Sequence, residues 1–249
     1  MTTIETDTGA RIIGMPWKQF IADFAARWEP GQHVALIGPT GKGKTTLAAQ
    51  LVRTRKYVIA ADVKGGDSSL GRFTQFGFQH VSEWPLPRQV REDIANGEPA
   101  RLIVGMPLRT AADRPKLKAL LQKTFGGVFE QGGWTLYIDE LQLACYRRLM
   151  GLGPLVEENL IAARDRGVSV VSSFQQPAWV PRTASNQATH LFIWHTRDTD
   201  VVNRLAEMMG RPKQEVRQIM AGLASTPFGV LVTSADPSAP MLVTRPPRL

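Results

Sequence analysis

Residues 38–46, with the sequence GPTGKGKTT, are the stretch that decides the fold of this chain. They fit the pattern G-x-x-x-x-G-K-[ST], in which glycines let backbone N–H groups converge on the phosphates of a nucleotide. An apolar, strand-like run at residues 33–37 precedes the stretch, and a helix-compatible run at 47–52 follows it. This order matters because the N-terminus of a helix carries about half a positive charge. The stretch therefore predicts a phosphate-binding loop between a strand and a helix.

The side chains of this loop have separate expected roles. Lys44 would reach the β- and γ-phosphates, and the hydroxyl of Thr45 would contact Mg²⁺. A chance glycine-rich turn would not be expected to carry both flanking elements, so we predict a P-loop NTPase. The predicted nucleotide-binding residues are Gly38, Pro39, Thr40, Gly41, Lys42, Gly43, Lys44, Thr45 and Thr46.

A second motif is the strand-like run at residues 134–138, which ends in Asp139 and Glu140. This is the form of a Walker B element. Asp139 would hold Mg²⁺ together with Thr45, and Glu140 would orient and deprotonate the attacking water. The alternative is a buried strand ending in a solvated acidic turn, and the phosphate loop argues against it.

A third motif is the buried strand-like run at residues 168–172, whose tip carries Gln175. Gln175 would hydrogen-bond the γ-phosphate or the lytic water. This role requires the run to lie between the strand at 33–37 and the strand at 134–138, because a γ-phosphate sensor must face the nucleotide from that position. The alternative is a strand-end glutamine that faces solvent.

Composition narrows the class of protein. No apolar stretch reaches the roughly 20 residues that span a bilayer, and the acidic N-terminal sequence lacks a secretory signal, so we expect a cytoplasmic protein, with virion association left open. The single cysteine, Cys145, excludes an intramolecular disulfide framework. The net charge of +8 favours a polyanionic partner, but a solvated basic surface explains it equally well.

Short apolar runs alternate with helical periodicity, which favours a three-layer α/β fold with a mainly parallel central sheet. Residues 154–166 are predicted to form one helix that stops at Gly167. The expected organisation is a single P-loop ATPase domain over residues 1–249, with an N-terminal helix at about 16–28, a core at about 33–197, and C-terminal helices and a β-hairpin at about 198–245. The hairpin would turn at residues 236–238.

Together these residues resemble the FtsK–HerA branch of P-loop ATPases, the DNA pumps of chromosome segregation, conjugation and viral genome packaging. The likeness spans about residues 33–200. Besides the loop and the acidic pair, residues 61–65 (ADVKG) resemble an Asp-x-Lys-Gly signature, and residues 164–169 (RDRGVS) lead to a Gln175-Gln176-Pro177 tip. Gln176 is a departure, since arginine is common there. The packaging ATPases of phages and prophages are the most similar in build.

The resemblance implies an ATP-hydrolysing motor that translocates double-stranded DNA, of the additional-strand, catalytic-glutamate type, with ATP and Mg²⁺ as cofactors. It also implies a homo-oligomeric ring, pentameric or hexameric, and a viral portal or vertex protein as a partner. In such rings an arginine of the neighbouring subunit completes the site. The candidates are Arg164 and Arg166, with Arg197 behind them; their alternative role is to offset a helix dipole.

Basic clusters are candidate contacts to DNA phosphates, although each is also typical of a solvated face. The candidate DNA-binding residues are Arg109, Lys116, Lys118, Arg147 and Arg148, and the tail at 245–248 is also basic. Two alternatives stay open: a related ATPase that drives protein or filament export or conjugative transfer, and a nucleotide-dependent regulatory switch. The lack of a membrane segment counts against export, and Glu140 counts against a switch.

Overall fold

The computed structural model describes residues 4–5, 11–162, 164–234 and 239–247. The predicted hairpin turn at 236–238 and Arg248 of the basic tail lie outside these residues.

An eleven-stranded sheet forms the centre of the described part of the chain. Its strands are β1 (Ile4–Glu5), β2 (Arg11–Gly14), β3 (His33–Ile37), β4 (Tyr57–Ala61), β5 (Gln79–Val81), β6 (Ala100–Val104), β7 (Thr135–Ile138), β8 (Ser169–Phe174), β9 (Ala188–Trp194), β10 (Val230–Ser234) and β11 (Met241–Thr244). They are arranged in the order β1-β2-β11-β10-β9-β3-β8-β7-β4-β6-β5. The run from β9 to β5 is entirely parallel, and β10 is antiparallel to both of its neighbours.

Helices cover both faces of the sheet. They are α1 (Trp17–Arg27), α2 (Lys44–Val52), α3 (Arg88–Ala95), α4 (Asp113–Gln131), α5 (Leu141–Cys145), α6 (Gly153–Ile161), α7 (Arg182–Asn186), α8 (Thr199–Met209) and α9 (Lys213–Ala224). Alternate residues of β3 enter different apolar clusters: Ala35 and Ile37 pack with α4, α6, α8 and α9, whereas Val34 and Leu36 pack with α1 and α2. Because alternate strand residues point to opposite faces, the clusters lie on the two sides of the sheet.

The central strands are buried along their whole length, which explains why their sequences are almost continuously apolar rather than alternating. This confirms the three-layer α/β fold with a mainly parallel sheet. The predicted C-terminal hairpin is also confirmed, since Leu231 of β10 pairs antiparallel with Val243 of β11.

β8 lies between β3 and β7, as the third motif required. Ile37 of β3 is in register with Phe174 of β8, and Ile138 of β7 is in register with Ser172. The three strands are parallel, so their carboxyl ends meet at one edge of the sheet. This edge receives the phosphate loop, Gln175 and the acidic pair.

The helix predicted at residues 154–166 is shorter than expected. α6 ends at Ile161, and Arg164–Arg166 form a separate turn of 3-10 helix. The carbonyl of Arg164 accepts the amide of Gly167 at 2.9 Å, and this tighter winding turns the chain directly into β8. The prediction that Arg164 and Arg166 occupy the last turn of a longer α-helix is therefore wrong.

Candidate nucleotide site

The phosphate loop joins β3 to α2, and two of its glycines are required by geometry. Gly43 has φ +96°, a left-handed conformation that places the start of α2 immediately after it. At Gly38 a β-carbon would lie 2.7 Å from Cβ of Trp194, so no side chain fits there. The loop thus leaves β3 tightly and presents the N-terminus of α2 to the space above the sheet edge.

Lys44 is buried and folds back onto its own loop. Its Nζ donates to the carbonyl oxygens of Gly38, at 2.7 Å, and Pro39, at 3.0 Å. Burial lowers the pKa of Lys44, while the nearby carboxylates of Asp139 and Glu140 act in the opposite direction. A cation held at this position is available to a phosphate that displaces the loop carbonyls.

Asp139 follows β7 and is only 4% exposed. Its Oδ2 accepts a hydrogen bond from Thr45 Oγ1 at 3.3 Å, and its Oδ1 accepts one from the hydroxyl of Tyr137 at 2.9 Å. Burial, and then the Asp139 carboxylate, raise the pKa of Tyr137 well above its usual value, so Tyr137 stays a donor. Sequence reasoning gave Tyr137 no role of its own.

The Thr45 and Asp139 oxygens fit a magnesium ion, which prefers hard oxygen ligands and keeps several waters. Among the described residues, no group of three or more His, Cys, Asp or Glu side chains could hold a metal by itself.

Glu140 directly precedes α5 as its N-cap residue, with φ +53° and ψ +64°. A non-glycine residue rarely adopts this left-handed conformation, and such strain is concentrated at functional sites. The Glu140 carboxylate is partly exposed, and its Oε1 lies 3.1 Å from Nζ of Lys64.

Lys64 places a positive charge in the site, although the sequence analysis gave this residue no role there. Its Nζ lies 2.9 Å from Asp67 Oδ2 and 3.8 Å from Asp139 Oδ2, in addition to its contact with Glu140. Burial by itself would lower the pKa of Lys64, but these carboxylates together raise it. Lys64 therefore remains charged between the two acids of the site. The available signal was its place in the Asp-x-Lys-Gly signature.

The loop that carries Lys64 is shaped by Asp62 at the end of β4. The Asp62 carboxylate accepts the backbone amides of Gly65, at 2.9 Å, and Gly66, at 2.6 Å. Gly65 and Gly66 both have positive φ. These bonds curl the chain back over the sheet edge and aim Lys64 at the acidic pair.

Arg72 is a second cation that no motif indicated. It belongs to the 3-10 helix Leu70–Phe76, and its Nη1 donates to Thr46 Oγ1 at 2.9 Å. The contact places Arg72 against the start of α2, where the phosphate loop ends.

These groups enclose a pocket of about 270 Å³, which we call the phosphate pocket. On the loop side it is lined by Thr40, Gly41, Gly43, Lys44, Thr45 and Thr46. On the facing side it is lined by Lys64, Asp67, Ser69, Arg72, Asp139 and Glu140. The structure thus brings together the phosphate loop and both predicted acids.

Gln175 is not among the described residues that line this pocket. It directly follows β8, next to Phe174, whose carbonyl accepts the amide of Gly38 at 3.3 Å. The neighbouring Gln176 is engaged elsewhere, since its Nε2 donates to Asp198 Oδ2 at 2.8 Å. Gln175 therefore lies at the correct edge of the sheet but outside the pocket wall.

Arg164 and Arg166 lie at the opposite edge of the sheet from the phosphate loop. They precede β8, whose six residues span about 20 Å. Arg166 donates to the carbonyl of Glu130 at 3.3 Å, and its guanidinium lies 4.8 Å from the centre of the Phe129 ring. Both arginines are exposed, and neither can reach the phosphate pocket of its own subunit.

The basic candidates for DNA contact follow β6 and β7, at the same edge as the phosphate loop. Lys116 lies 3.5 Å from Asp113, whose carboxylate also accepts the amide of Arg109 at 3.2 Å. A β-carbon at Gly151 would lie 3.2 Å from Lys118 Nζ and 3.3 Å from the carbonyl oxygen of Arg147. The Lys118 ammonium therefore lies near the backbone of Arg147, and both Arg147 and Arg148 are exposed.

Comparison with known proteins finds similarity in three dimensions only. No family model matches the chain, and no curated protein matches its sequence. The genome packaging NTPase B204 of Sulfolobus turreted icosahedral virus 2 superposes with a TM-score of 0.59 and 17% identity, covering 88% of this chain and 98% of that chain. The chain has the P-loop NTPase fold.

Two further solved structures share this fold. The pCW3 conjugation coupling protein TcpA has a TM-score of 0.51 and 13% identity, over 97% of this chain and 64% of that chain. EssC from Geobacillus thermodenitrificans has a TM-score of 0.52 and 12% identity, over 88% of this chain and 40% of that chain. B204 has been solved in complex with AMPPCP and with ATP-gammaS. Within the described residues of the present chain, no helix is long and apolar enough to cross a membrane.

Proposed function

We propose that this chain is an ATP-hydrolysing motor that translocates double-stranded DNA as a homo-oligomeric ring, in viral genome packaging. The observation that carries the proposal is the position of the phosphate loop, the Thr45–Asp139 pair and Glu140 around one pocket, at the joint edge of β3, β8 and β7. The similarity to the viral packaging NTPase B204 over nearly the whole of that chain supports the packaging role.

In this proposal the loop amides and Lys44 hold the phosphates of ATP. Thr45 and Asp139 would hold Mg²⁺, which would neutralise charge on the phosphate oxygens. Glu140 accepts a proton from the water that attacks the γ-phosphate. Gln175, which follows β8 at the same edge, reaches the γ-phosphate only after a local movement toward the pocket.

Lys64 links nucleotide binding to the state of Glu140. Its ammonium lies 3.1 Å from the Glu140 carboxylate and 2.9 Å from Asp67. A γ-phosphate in the pocket competes with these carboxylates for the same ammonium. Glu140 is thereby released to accept a proton when ATP is bound.

The ring supplies what one subunit lacks. Arg164 and Arg166 lie too far from their own pocket to stabilise charge there, so either acts only on the pocket of a neighbouring copy. An arginine supplied in this way raises the rate of phosphoryl transfer by about 10³–10⁵. Isolated subunits should accordingly hydrolyse ATP slowly, and assembly should accelerate turnover.

The DNA contact is proposed to lie on the surface formed by Lys118, Arg147 and Arg148, with Arg109 and Lys116 beside it. These side chains would contact phosphates without reading sequence, so binding should weaken steeply with salt. A viral portal or vertex protein is the proposed partner at the end of the translocation path.

The test is the ATPase rate of the assembled protein with and without double-stranded DNA, at low and moderate salt. Stimulation by DNA that is lost in a Lys44→Ala variant is the expected result. Stimulation only by a partner protein would instead support export. Negligible turnover under every condition would contradict the motor and leave a nucleotide switch.

A further inference from the structure

A second recess adjoins the phosphate pocket. It has a volume of about 280 Å³ and shares Gly41, Gly43, Thr46 and Arg72 with the phosphate pocket. Its remaining lining residues are Lys42, Phe228, Pro246 and Pro247. The acidic pair and Lys64 line only the phosphate pocket. The two cavities therefore meet at the outer side of the phosphate loop, away from the carboxylates.

The carboxylates fix the direction of a bound triphosphate. In the proposed function Glu140 would mark the end at which water attacks, and Asp139 with Thr45 would hold the metal. The other end of the triphosphate must then leave past Thr46 and Arg72, whose side chains are joined by a 2.9 Å hydrogen bond. A nucleoside attached at that end enters the recess.

The recess has the chemistry of a stacking surface. Phe228, which is 39% exposed, contributes its aromatic ring to the lining of the recess. Pro246 and Pro247 have no backbone N–H and present apolar ring faces. Nucleobases stack on such faces whatever their hydrogen-bonding pattern, because every base has a π-face. Arg72 and Thr46 place polar groups at the boundary with the phosphate pocket, where a ribose would lie.

The apolar groups of the recess are held in place from two sides. Phe228 has φ +58°, a conformation that is a true outlier for a bulky residue and persists only where the surroundings impose it. The amide of Gly229 donates to the carbonyl of Thr226 at 2.9 Å and closes the turn that carries Phe228. The buried Gln50 of α2 donates from Nε2 to the carbonyl of Pro247 at 3.3 Å, which ties the C-terminal segment to the loop helix.

We infer that this recess binds the nucleobase and ribose of the nucleoside triphosphate, with Phe228, Pro246 and Pro247 as the stacking surfaces. The inference rests on the proposed nucleotide function and adds the part of the ligand that the phosphate loop does not contact. Tripolyphosphate has no base or ribose, so it separates the two claims.

The first experiment uses the unaltered protein. Calorimetric titration with Mg²⁺ present compares the Kd of ATP with the Kd of tripolyphosphate. We expect ATP to bind at least about five-fold more tightly, which is the lower end of the effect of stacking one base. Equal affinities would overturn the inference and leave the nucleotide function intact. Failure of both ligands to bind would overturn the nucleotide function itself.

The second experiment removes the ring of Phe228. Phe228→Gly keeps the backbone, since glycine adopts φ +58° without strain. ATP binding should weaken by about 5- to 100-fold while tripolyphosphate binding stays unchanged. Ile161→Ala, which removes an exposed apolar side chain that lines neither cavity, should alter neither affinity. Unchanged ATP binding in Phe228→Gly, or an equal loss of both ligands, would overturn the inference.

Discussion

The two ends of β8 differ in where their charged side chains lie. At the carboxyl end, buried or half-buried charges face each other across the phosphate pocket, and Lys64 links three carboxylates. At the amino end, the charged groups Arg164 and Arg166 are exposed, and the buried ionisable group is His33 of β3.

His33 is held in its neutral form by two fixed partners. Its Nδ1 accepts the amide of Val170 at 2.9 Å, so the proton lies on Nε2, which donates to the carbonyl of Leu160 at 3.1 Å. Burial lowers the pKa of His33 to about 4, and Arg164 acts in the same direction. One end of β8 is therefore built to receive a charged ligand, whereas the other is built to keep charge out of the core and on the surface.

This difference predicts that the two ends act in different subunits. Replacing Arg164 or Arg166 by alanine should lower the ATPase rate of the assembled protein by about 10³-fold or more for the residue that acts in trans. Nucleotide binding by the variant should be retained, because neither arginine reaches its own pocket. The measurement is phosphate release, with Arg27→Ala, another exposed arginine, as the control.

Mixed assemblies sharpen this test. Subunits with the inactivating arginine variant, mixed with Glu140→Gln subunits, should regain part of the lost rate. In such rings an intact arginine on one subunit faces an intact Glu140 on another. If both arginine variants keep full assembled turnover, the amino end of β8 has no catalytic part.

At the carboxyl end, Glu140→Gln should lower the hydrolysis rate by about 10²–10⁴, the usual contribution of a general base. ATP affinity should change little, because the phosphate loop is untouched. Single-turnover hydrolysis and equilibrium titration measure the two quantities separately. A variant that hydrolyses ATP at the normal rate would show that the base is another group.

The neutral His33 predicts acid sensitivity of the fold. Because its folded-state pKa is about 4 and its ordinary value is 6.5, its contribution to the free energy of unfolding is complete above pH 6.5. That contribution, about 3 kcal/mol, is lost as the pH falls from 6.5 through 4. His190, whose pKa burial also lowers to about 4, titrates in the same window, so the variant must be compared with the unaltered protein.

In urea unfolding between pH 7 and pH 4, His33→Gln should show a smaller loss of stability than the unaltered protein. The exposed His80 supplies the control variant His80→Gln, which should follow the unaltered protein. Parallel pH profiles for His33→Gln and the unaltered protein would refute the assignment.

The smallest expected effect concerns the basic surface beside the phosphate pocket. Lys118→Ala should weaken DNA binding by the same factor for every sequence, and should reduce the slope of log K against log salt by about 1. The exposed Arg88 on α3, which pairs with Glu92, provides the control Arg88→Ala. A loss of affinity that depends on DNA sequence would contradict phosphate contact.

The parts of the fold that the sequence predicted are those with local signals. The phosphate loop needs glycines at fixed positions, and Asp139 with Glu140 follows a strand that is apolar throughout. The position of β8 between β3 and β7 followed from the requirement that a γ-phosphate sensor face the nucleotide. In contrast, β2 was missed because its four residues form a strand by pairing with the two-residue β1 and with β11, which lies more than two hundred residues away.

The same reason explains which site residues escaped prediction. Arg72 reaches Thr46 from a 3-10 helix that has no pattern of its own, and Phe228 reaches the loop from the turn before β10. Their positions depend on how distant segments pack against α2. The early end of α6 was missed because the tight turn at Arg164 is set by the approach of the chain to β8, not by helix propensity.

The strained backbone of Glu140 has a mechanical consequence. The helix α5, which directly follows Glu140, is only five residues long and rises about 7.5 Å. Arg147 and Arg148 lie just beyond its C-terminus. A change of backbone conformation at Glu140, when its carboxylate changes partners, would therefore tilt α5. The tilt would displace the two guanidinium groups that follow the helix. In the proposed motor, we expect the power stroke to begin at α5.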